Sequence, residues 1–287
     1  MKQKILFLVN PISGGRHKFN FPNLIDRYLD HQQFDAFIQF TECRGQATEL
    51  ARIAEQQIIV AVGGDGTINE VAKGVIETNK CLGVIPLGSG NGLARTLKIP
   101  CNVQQALQRI NRLQTRYIDY GLLNQQPFFN VAGVGFDAHI GAVFQNSKRR
   151  GMVSYAKAIV KEFKNYQPLP YQIIVDGVHL KREAFMISIA NSSQFGNNMH
   201  IAPLASISDG WLDVCILKPF NKLYTPLLAL KMFNKTIHHS PYMEMIQAKN
   251  VHISLPVGCH VHLDGEPIAL QQYVDIRLCH QKLKIIV

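Results

Sequence analysis

Between Val60 and Val75 the chain reads VAVGGDGTINEVAKGV, three early glycines and an aspartate between two apolar stretches. Gly63, Gly64 and Gly66 let an anion approach backbone amides without meeting a Cβ. A helix that starts at once turns its unpaired amides and the positive end of its dipole toward that anion. The chemistry such a loop supports is phosphate binding. Glycines also serve plain strand-to-helix turns, and three features argue beyond that reading. Asp65 sets a carboxylate among the amides, which suits the handling of Mg²⁺ or of a reacting hydroxyl. The loop has neither the lysine of a P-loop nor the spacing G-x-G-x-x-G. Two other apolar runs end in similar loops, NPISGG (Asn10 to Gly15) and PLGSGNG (Pro86 to Gly92), which would converge on one sheet edge, where open α/β proteins bind ligands.

Acidic residues recur near the other end. Asp264-Gly265-Glu266 reads as a D-G hairpin turn that also offers two carboxylates, and Ser206 to Asp213 as a turn entering the strand WLDVCIL. His260 and His262, two apart, share a strand face but have no ligand cluster beside them, so they read as structural histidines. His238 and His239 read as surface residues. Phe128, Phe129, Phe136 and Phe144 suit a core better than an acyl slot.

The elements that would position these residues change character along the chain. The continuous apolar runs Ile5 to Val9, Ile58 to Val62 and Leu82 to Ile85 predict strands covered on both faces, alternating with helices. T-I-N-E after Gly66 reads as a capping box, with Thr67 capping the next turn and Glu70 reaching back. It predicts a helix from Thr67 with Ile68, Val71, Ala72, Val75 and Ile76 on its apolar stripe. After about Tyr120 alternating runs with tight turns, such as Asp176-Gly177, predict an antiparallel sandwich. Helices are expected at Met152 to Phe163 and Leu223 to Phe233, the latter beginning near Pro226. The expected division is residues 1–122, an α/β nucleotide-binding domain, and 123–287, a β-rich domain whose last strand is left open to return to the first.

With 287 residues, 47% hydrophobic and 17% charged, the composition excludes a disordered chain, and a formal charge of +10 favours an anionic partner. The lysines and arginines are dispersed except at Lys148, Arg149 and Arg150, with no interleaved aromatics, so nucleic acid is not expected as a partner. The six cysteines form no C-x-x-C pair, as expected in a reducing compartment. No apolar run reaches ~18 residues, so no transmembrane segment is expected, and the opening run is too short for a secretory signal. The expected location is cytoplasmic, peripheral to a membrane.

The ordered motifs resemble the diacylglycerol kinase catalytic-domain family, which includes bacterial lipid kinases and the sphingosine and ceramide kinases. Asn10-Pro11-x-Ser13-Gly14 is similar to its first nucleotide loop, and Thr41 with Gly45-Gln46-Ala47 to its T-x-x-x-G-H-A segment. GGDGT (Gly63 to Thr67) resembles its hallmark, and PLGSGN (Pro86 to Asn91) its P-x-G-[ST]-x-N loop. Asp119, GFDA at Gly135 to Ala138 and PLASISDGWLD at Pro203 to Asp213 echo further positions, and LDGE at Leu263 to Glu266 its terminal acidic motif. Gly92 departs from the aspartate that many members carry, a departure shared with the sphingosine-kinase branch.

The resemblance implies an α/β domain with a parallel sheet and glycine-rich phosphate loops, of the NAD kinase/diacylglycerol kinase kind, followed by the sandwich. It implies an ATP- and Mg²⁺-dependent phosphotransferase acting on a lipid hydroxyl at a membrane surface, diacylglycerol before a sphingoid base, ceramide or another lipid alcohol. Ser13, Gly14, Gly15, Thr41, the GGDGT amides, Asn69, Glu70 and Ser89 are then expected to hold ATP, with Arg16 or Lys18 near its phosphates. Glu266 is expected to accept the hydroxyl proton, with Asp264 and Asp65 organising Mg²⁺ and the γ-phosphate. A further Mg²⁺ site is implied at Asp209 and the carbonyls near Ser206 and Trp211. NAD kinases share GGDGT, and a non-catalytic nucleotide sensor would need the loops without the acids, so both stand as alternatives. A homodimer is left open.

Overall fold

The structure, a computed structural model, describes residues 2–12, 21–76, 78–145 and 161–287. Ser13, Gly14, Gly15, Arg16, Lys18, the basic cluster at Lys148 to Arg150 and most of the helix expected at Met152 to Phe163 lie outside them; residues 161–165 are helical. Two compact units form, Met1–Asp119 with His280–Val287, and Tyr120–Cys279.

The first unit is built on a parallel sheet. Strand β1 (Gln3–Val9) lies between β2 (Phe34–Phe40) and β3 (Ile58–Gly63), and β4 (Cys81–Pro86) follows β3. The last five residues of β1 and all of β3 and β4 are buried, as continuous Ile/Val/Leu runs require when helices cover both faces. Strand β2, FDAFIQF, is half-exposed because it forms the edge, and that alternation gives no buried run to find in the sequence. Helices α1 (Phe21–Tyr28), α2 (Gln46–Ile53), α3 (Asp65–Val75), α4 (Gly92–Thr96) and α5 (Val103–Arg112) connect the strands. Gly74 lets α3 meet α2 closely, since a Cβ there would stand 2.4 Å from the Thr48 carbonyl oxygen.

The chain leaves this unit along β5 (Thr115–Leu123) and re-enters it along the final strand. Asp119, buried in β5, marks both crossings: its Oδ1 accepts from the Gln281 amide at 2.6 Å and lies 2.9 Å from His280 Nδ1. Beyond them Ile285 pairs in parallel with Leu82, and Leu283, Ile285 and Ile286 are buried.

The second unit is an antiparallel sandwich. After the short β6 (Gln126–Phe128) come β7 (Val131–Gly135), helix α6 (Phe136–Gln145), β8 (Leu169–Val175), β9 (Val178–Ala184), β10 (Met186–Ala190), β11 (Gln194–Gly196), β12 (Met199–His200) and β13 (Leu212–Leu217). They are followed by α7 (Thr225–Phe233), β14 (Met243–Ala248), β15 (Asn250–Ser254), β16 (Val261–Leu263), β17 (Glu266–Ile268) and β18 (Tyr273–Ile286). One layer runs β14-β13-β10-β7-β16-β17. The other pairs β18 with β15, β15 with β8 and β8 with β9. Their inner faces share one core, with Val134, Ile187, Ile189 and Val214 from the first layer and Ile173, Ile253, Val274 and Ile276 from the second. Phe128, Phe129 and Phe136 are core residues. Asp176 and Gly177 turn the β8–β9 hairpin with φ of 45° and 88°, and α7 has Pro226 in its first turn.

Candidate active site

Helix α3 begins two residues earlier than the capping box predicts. Its first residue is Asp65 and its cap Gly64, with no side-chain cap. Thr67 lies inside the first turn rather than at the cap, and its hydroxyl accepts from Asn10 Nδ2 at 3.2 Å, tying the first loop to the second. Asn10 is itself fixed, its amide donating to the Val62 carbonyl and its Oδ1 accepting from Ile12. The glycine loop is therefore the first turn of the helix, and its amides sit where a helix N-terminus favours negative charge.

A third loop is clamped to it by Asp65. One carboxylate oxygen accepts from the Asn91 amide and the other from the Gly92 amide, both at 2.7 Å. These are the cap and first residue of α4, so Asp65 supplies the anion that this helix start lacks. Asn91, in the left-handed region at φ 51°, folds PLGSGN back on itself by accepting from the Gly88 amide at 3.0 Å and donating to its carbonyl at 2.8 Å. Gly64 and Gly88 meet back to back. A Cβ on Gly88 would stand 2.7 Å from Gly64 Cα and 2.8 Å from Asn91 Oδ1, both held by the clamp. Gly88→Ala is therefore expected to prise the two loops apart and to destabilise the first unit by about 1–3 kcal/mol, read by urea denaturation. Ser89 is exposed at the tip. Thr41 is buried where β2 ends, its amide on the Val9 carbonyl at 2.9 Å, and Pro11 follows Asn10. On α3, Asn69 is buried, and the Glu70 carbonyl accepts from the Thr48 hydroxyl at 2.9 Å.

In the second unit Asp264 and Gly265 form the β16–β17 hairpin turn, with φ of 50° and 83°. The Asp264 carboxylate accepts three amides, Phe129 at 2.9 Å, Asn130 at 2.8 Å and Val131 at 3.0 Å. Burial raises its pKa, opposed by those three amides and by His262. Glu266 is exposed at the head of β17, opposite Leu263. Beneath the hairpin runs a polar chain through His262, one of the two histidines expected to be structural. The Gly265 amide donates to His262 Nδ1 at 3.2 Å, and His262 Nε2 lies 3.0 Å from Asp137 Oδ2. That arrangement leaves the imidazole proton on Nε2, donated to Asp137. Asp137 also accepts from the Ser188 hydroxyl at 3.2 Å, and Gly133 is small because a Cβ would stand 2.7 Å from both Asp137 and His262. The signal available beforehand was GFDA, an aspartate at a helix start.

Asp209 Oδ1 accepts from the Trp211 amide at 3.1 Å in the turn that leads into β13. Ser206, Asp209 and Trp211 are exposed, and Lys249 Nζ lies 4.7 Å from the Trp211 ring centroid. Asp213, buried four residues on, has its pKa raised to about 6 by burial and by the charge of Asp209. The groups here are hard oxygen donors, which fit Mg²⁺. Among the described residues no cluster of three or more His, Cys, Asp or Glu forms a metal site, so an ion held here would rest on Asp209, carbonyls and water.

An α/β unit with glycine-rich loops after its strands, joined to an antiparallel sandwich that carries an acidic hairpin, is the architecture of a kinase of the diacylglycerol kinase and NAD kinase class. A family model described as diacylglycerol kinase catalytic domain matches residues 4–123, and one described as YegS C-terminal NAD kinase beta sandwich-like domain matches residues 130–287. The chain belongs to the diacylglycerol kinase and YegS-like lipid kinase family and is a phosphotransferase with an alcohol group as acceptor. A protein of Chromohalobacter salexigens named "Probable lipid kinase YegS-like" is 30% identical over 78% of this chain and 75% of its own length. A diacylglycerol kinase of Bacillus subtilis is 28% identical over 90% of this chain and 88% of its own. The crystal structure of a diacylglycerol kinase from Bacillus anthracis superposes with a TM-score of 0.76 at 24% identity, covering 99% of this chain and 96% of that one. Among the described residues no helix is long and apolar enough to cross a membrane.

Proposed function

We propose that the protein transfers the γ-phosphate of ATP to the hydroxyl of diacylglycerol at a membrane surface. The observation that carries the nucleotide half of this reading is the uncapped start of α3 inside GGDGT, clamped by Asp65 to the PLGSGN loop. The amides of Gly63, Gly64, Gly66 and Thr67 cradle the phosphates. Asn10, Pro11, Ser13, Gly14, Gly15, Thr41, Asn69, Glu70, Ser89 and Asn91 complete the nucleotide site. Asp65, with both oxygens on amides, we assign to positioning the loops, and Asp264, with three amides on its carboxylate, to positioning the acidic hairpin.

Glu266, exposed and directly joined to that hairpin, takes the proton of the lipid hydroxyl. The hydroxyl oxygen forms its bond to the γ-phosphorus as the bond from that phosphorus to the β-phosphate oxygen breaks, releasing ADP. Mg²⁺, when bound, neutralises charge on the transferring phosphoryl group. The second Mg²⁺ site, on Asp209 and the carbonyls of Ser206 and Trp211, is structural in this reading. At a tenfold excess of Mg²⁺ over its Kd the ion should stabilise the protein by about 1.4 kcal/mol, raising Tm by about 3 °C after EDTA treatment. Asp209→Asn should remove that increment, and an increment of equal size in the variant would exclude the site.

Transfer of labelled phosphate from ATP to a panel of lipids in mixed micelles, with NAD as a separate acceptor, tests the whole reading. Label is expected first in diacylglycerol. Label in sphingosine or ceramide would move the substrate to a sphingoid lipid, label in NAD would indicate an NAD kinase, and nucleotide binding with no acceptor labelled would leave a sensor.

A further inference from the structure

Between Asp213 and Glu244 the sequence carries no acidic residue, while Lys218, Lys222, Lys231 and Lys235 fall within that stretch. The middle of this stretch is α7, whose buried residue is Leu228. Met232 packs toward the same core, while Leu227, Leu230 and Phe233 turn to solvent. Leu223, just before the helix, is 85% exposed, and Leu227, Leu230 and Phe233 are about half-exposed. Leu227, Leu230 and Phe233 follow at three-residue steps, with Leu223 four residues before Leu227, so they form one outward row. Tyr224, 47% exposed, lies beside it.

The lysines frame this row in two ways. Lys222 Nζ donates to the carbonyls of Lys164 and Tyr166 at 2.8 and 3.0 Å, which brings the exposed Lys164 alongside the start of the helix. Lys235 is exposed just past the helix end, and Lys231 is half-buried on the last turn. Lys218 is ion-paired with Glu244 at 3.1 Å and contributes less. A row of large apolar side chains rimmed by lysines, of which only Lys218 has an ion pair among the described residues, suits neither open water nor an acidic protein groove, which would offer hydrogen-bonding carboxylates to a surface with few polar groups. It suits the interface of a bilayer, where leucines enter the acyl boundary while lysines reach anionic headgroups.

We propose that α7, with Leu223 and Tyr224, docks the protein on a membrane rich in anionic lipid. This rests on the reading of a lipid acceptor and names the surface through which that acceptor is approached. The test uses the full chain and flotation with phosphatidylcholine vesicles, with and without phosphatidylglycerol. The wild type should float with the anionic vesicles and less with the neutral ones, and raised salt should weaken its binding without abolishing it. Leu227→Ser combined with Leu230→Ser should reduce bound protein by about tenfold or more, with an unchanged thermal transition because both side chains are already exposed. Its activity toward a short-chain, water-dispersed diacylglycerol should stay at the wild-type level. Equal flotation of wild type and variant would overturn the proposal. So would a change from dimer to monomer in the variant without loss of flotation, since a second copy of the chain would then be what covers this face. If the variant loses flotation and neither protein phosphorylates any lipid, the docking surface stands and the acceptor reading falls.

Discussion

Glu266→Gln should lower kcat by about 10³-fold while Tm and nucleotide affinity stay at the wild-type values. The expected loss is large because glutamine keeps the shape of the side chain and removes its capacity to take a proton from the lipid hydroxyl. The expected stability is unchanged because Glu266 is exposed at the head of β17, where surface substitutions cost little. A fluorescent nucleotide titration beside the phosphate-transfer assay separates the two quantities. Turnover within a few-fold of wild type would remove Glu266 from the reaction and leave the hairpin as a structural turn.

Asp264→Ala should strongly destabilise the second unit. It strips the acceptor from the Phe129, Asn130 and Val131 amides together, and alanine resists the positive φ that this position holds at 50°. With each unsatisfied amide costing about 1–3 kcal/mol, a loss of at least about 3 kcal/mol is expected, or roughly 6–12 °C in Tm. Asp264→Asn separates the causes. Asparagine tolerates the left-handed backbone and keeps one acceptor oxygen for Asn130 and Val131, so it should cost about half as much. Calorimetry on the two variants checks the ranking, and equal losses would show that the amide contacts contribute little.

Much of the architecture was legible because local patterns agree with it. Continuous apolar runs gave β1, β3 and β4, the Asp-Gly pairs gave two hairpins, and Pro226 marked the start of α7. The candidate site was legible as residue types and less so as roles. GGDGT announces an anion cradle, yet Asp65 meets its partners 26 and 27 residues away, and Asp264 meets its own more than 130 residues earlier. Such contacts are set by which strands lie side by side, a property that spacing does not encode. The capping box fails for a local reason: T-I-N-E has the right types, but the helix already begins at Asp65 behind Gly64, which leaves Thr67 inside it. His262 reads as a structural histidine and is one, but its partner Asp137, on another element 125 residues earlier, is not legible from spacing.

The crossing at Asp119 bears on how the protein is made. The first unit has its leading strands early, but Leu283, Ile285 and Ile286 belong to residues 280–287, which follow the whole sandwich. On the ribosome this unit waits, one strand short, until the sandwich inserted into it has been synthesised. The usual order, in which the amino-terminal domain matures first, is therefore reversed or interleaved here, and the glycine loops reach their finished support only after residues 280–287 have emerged.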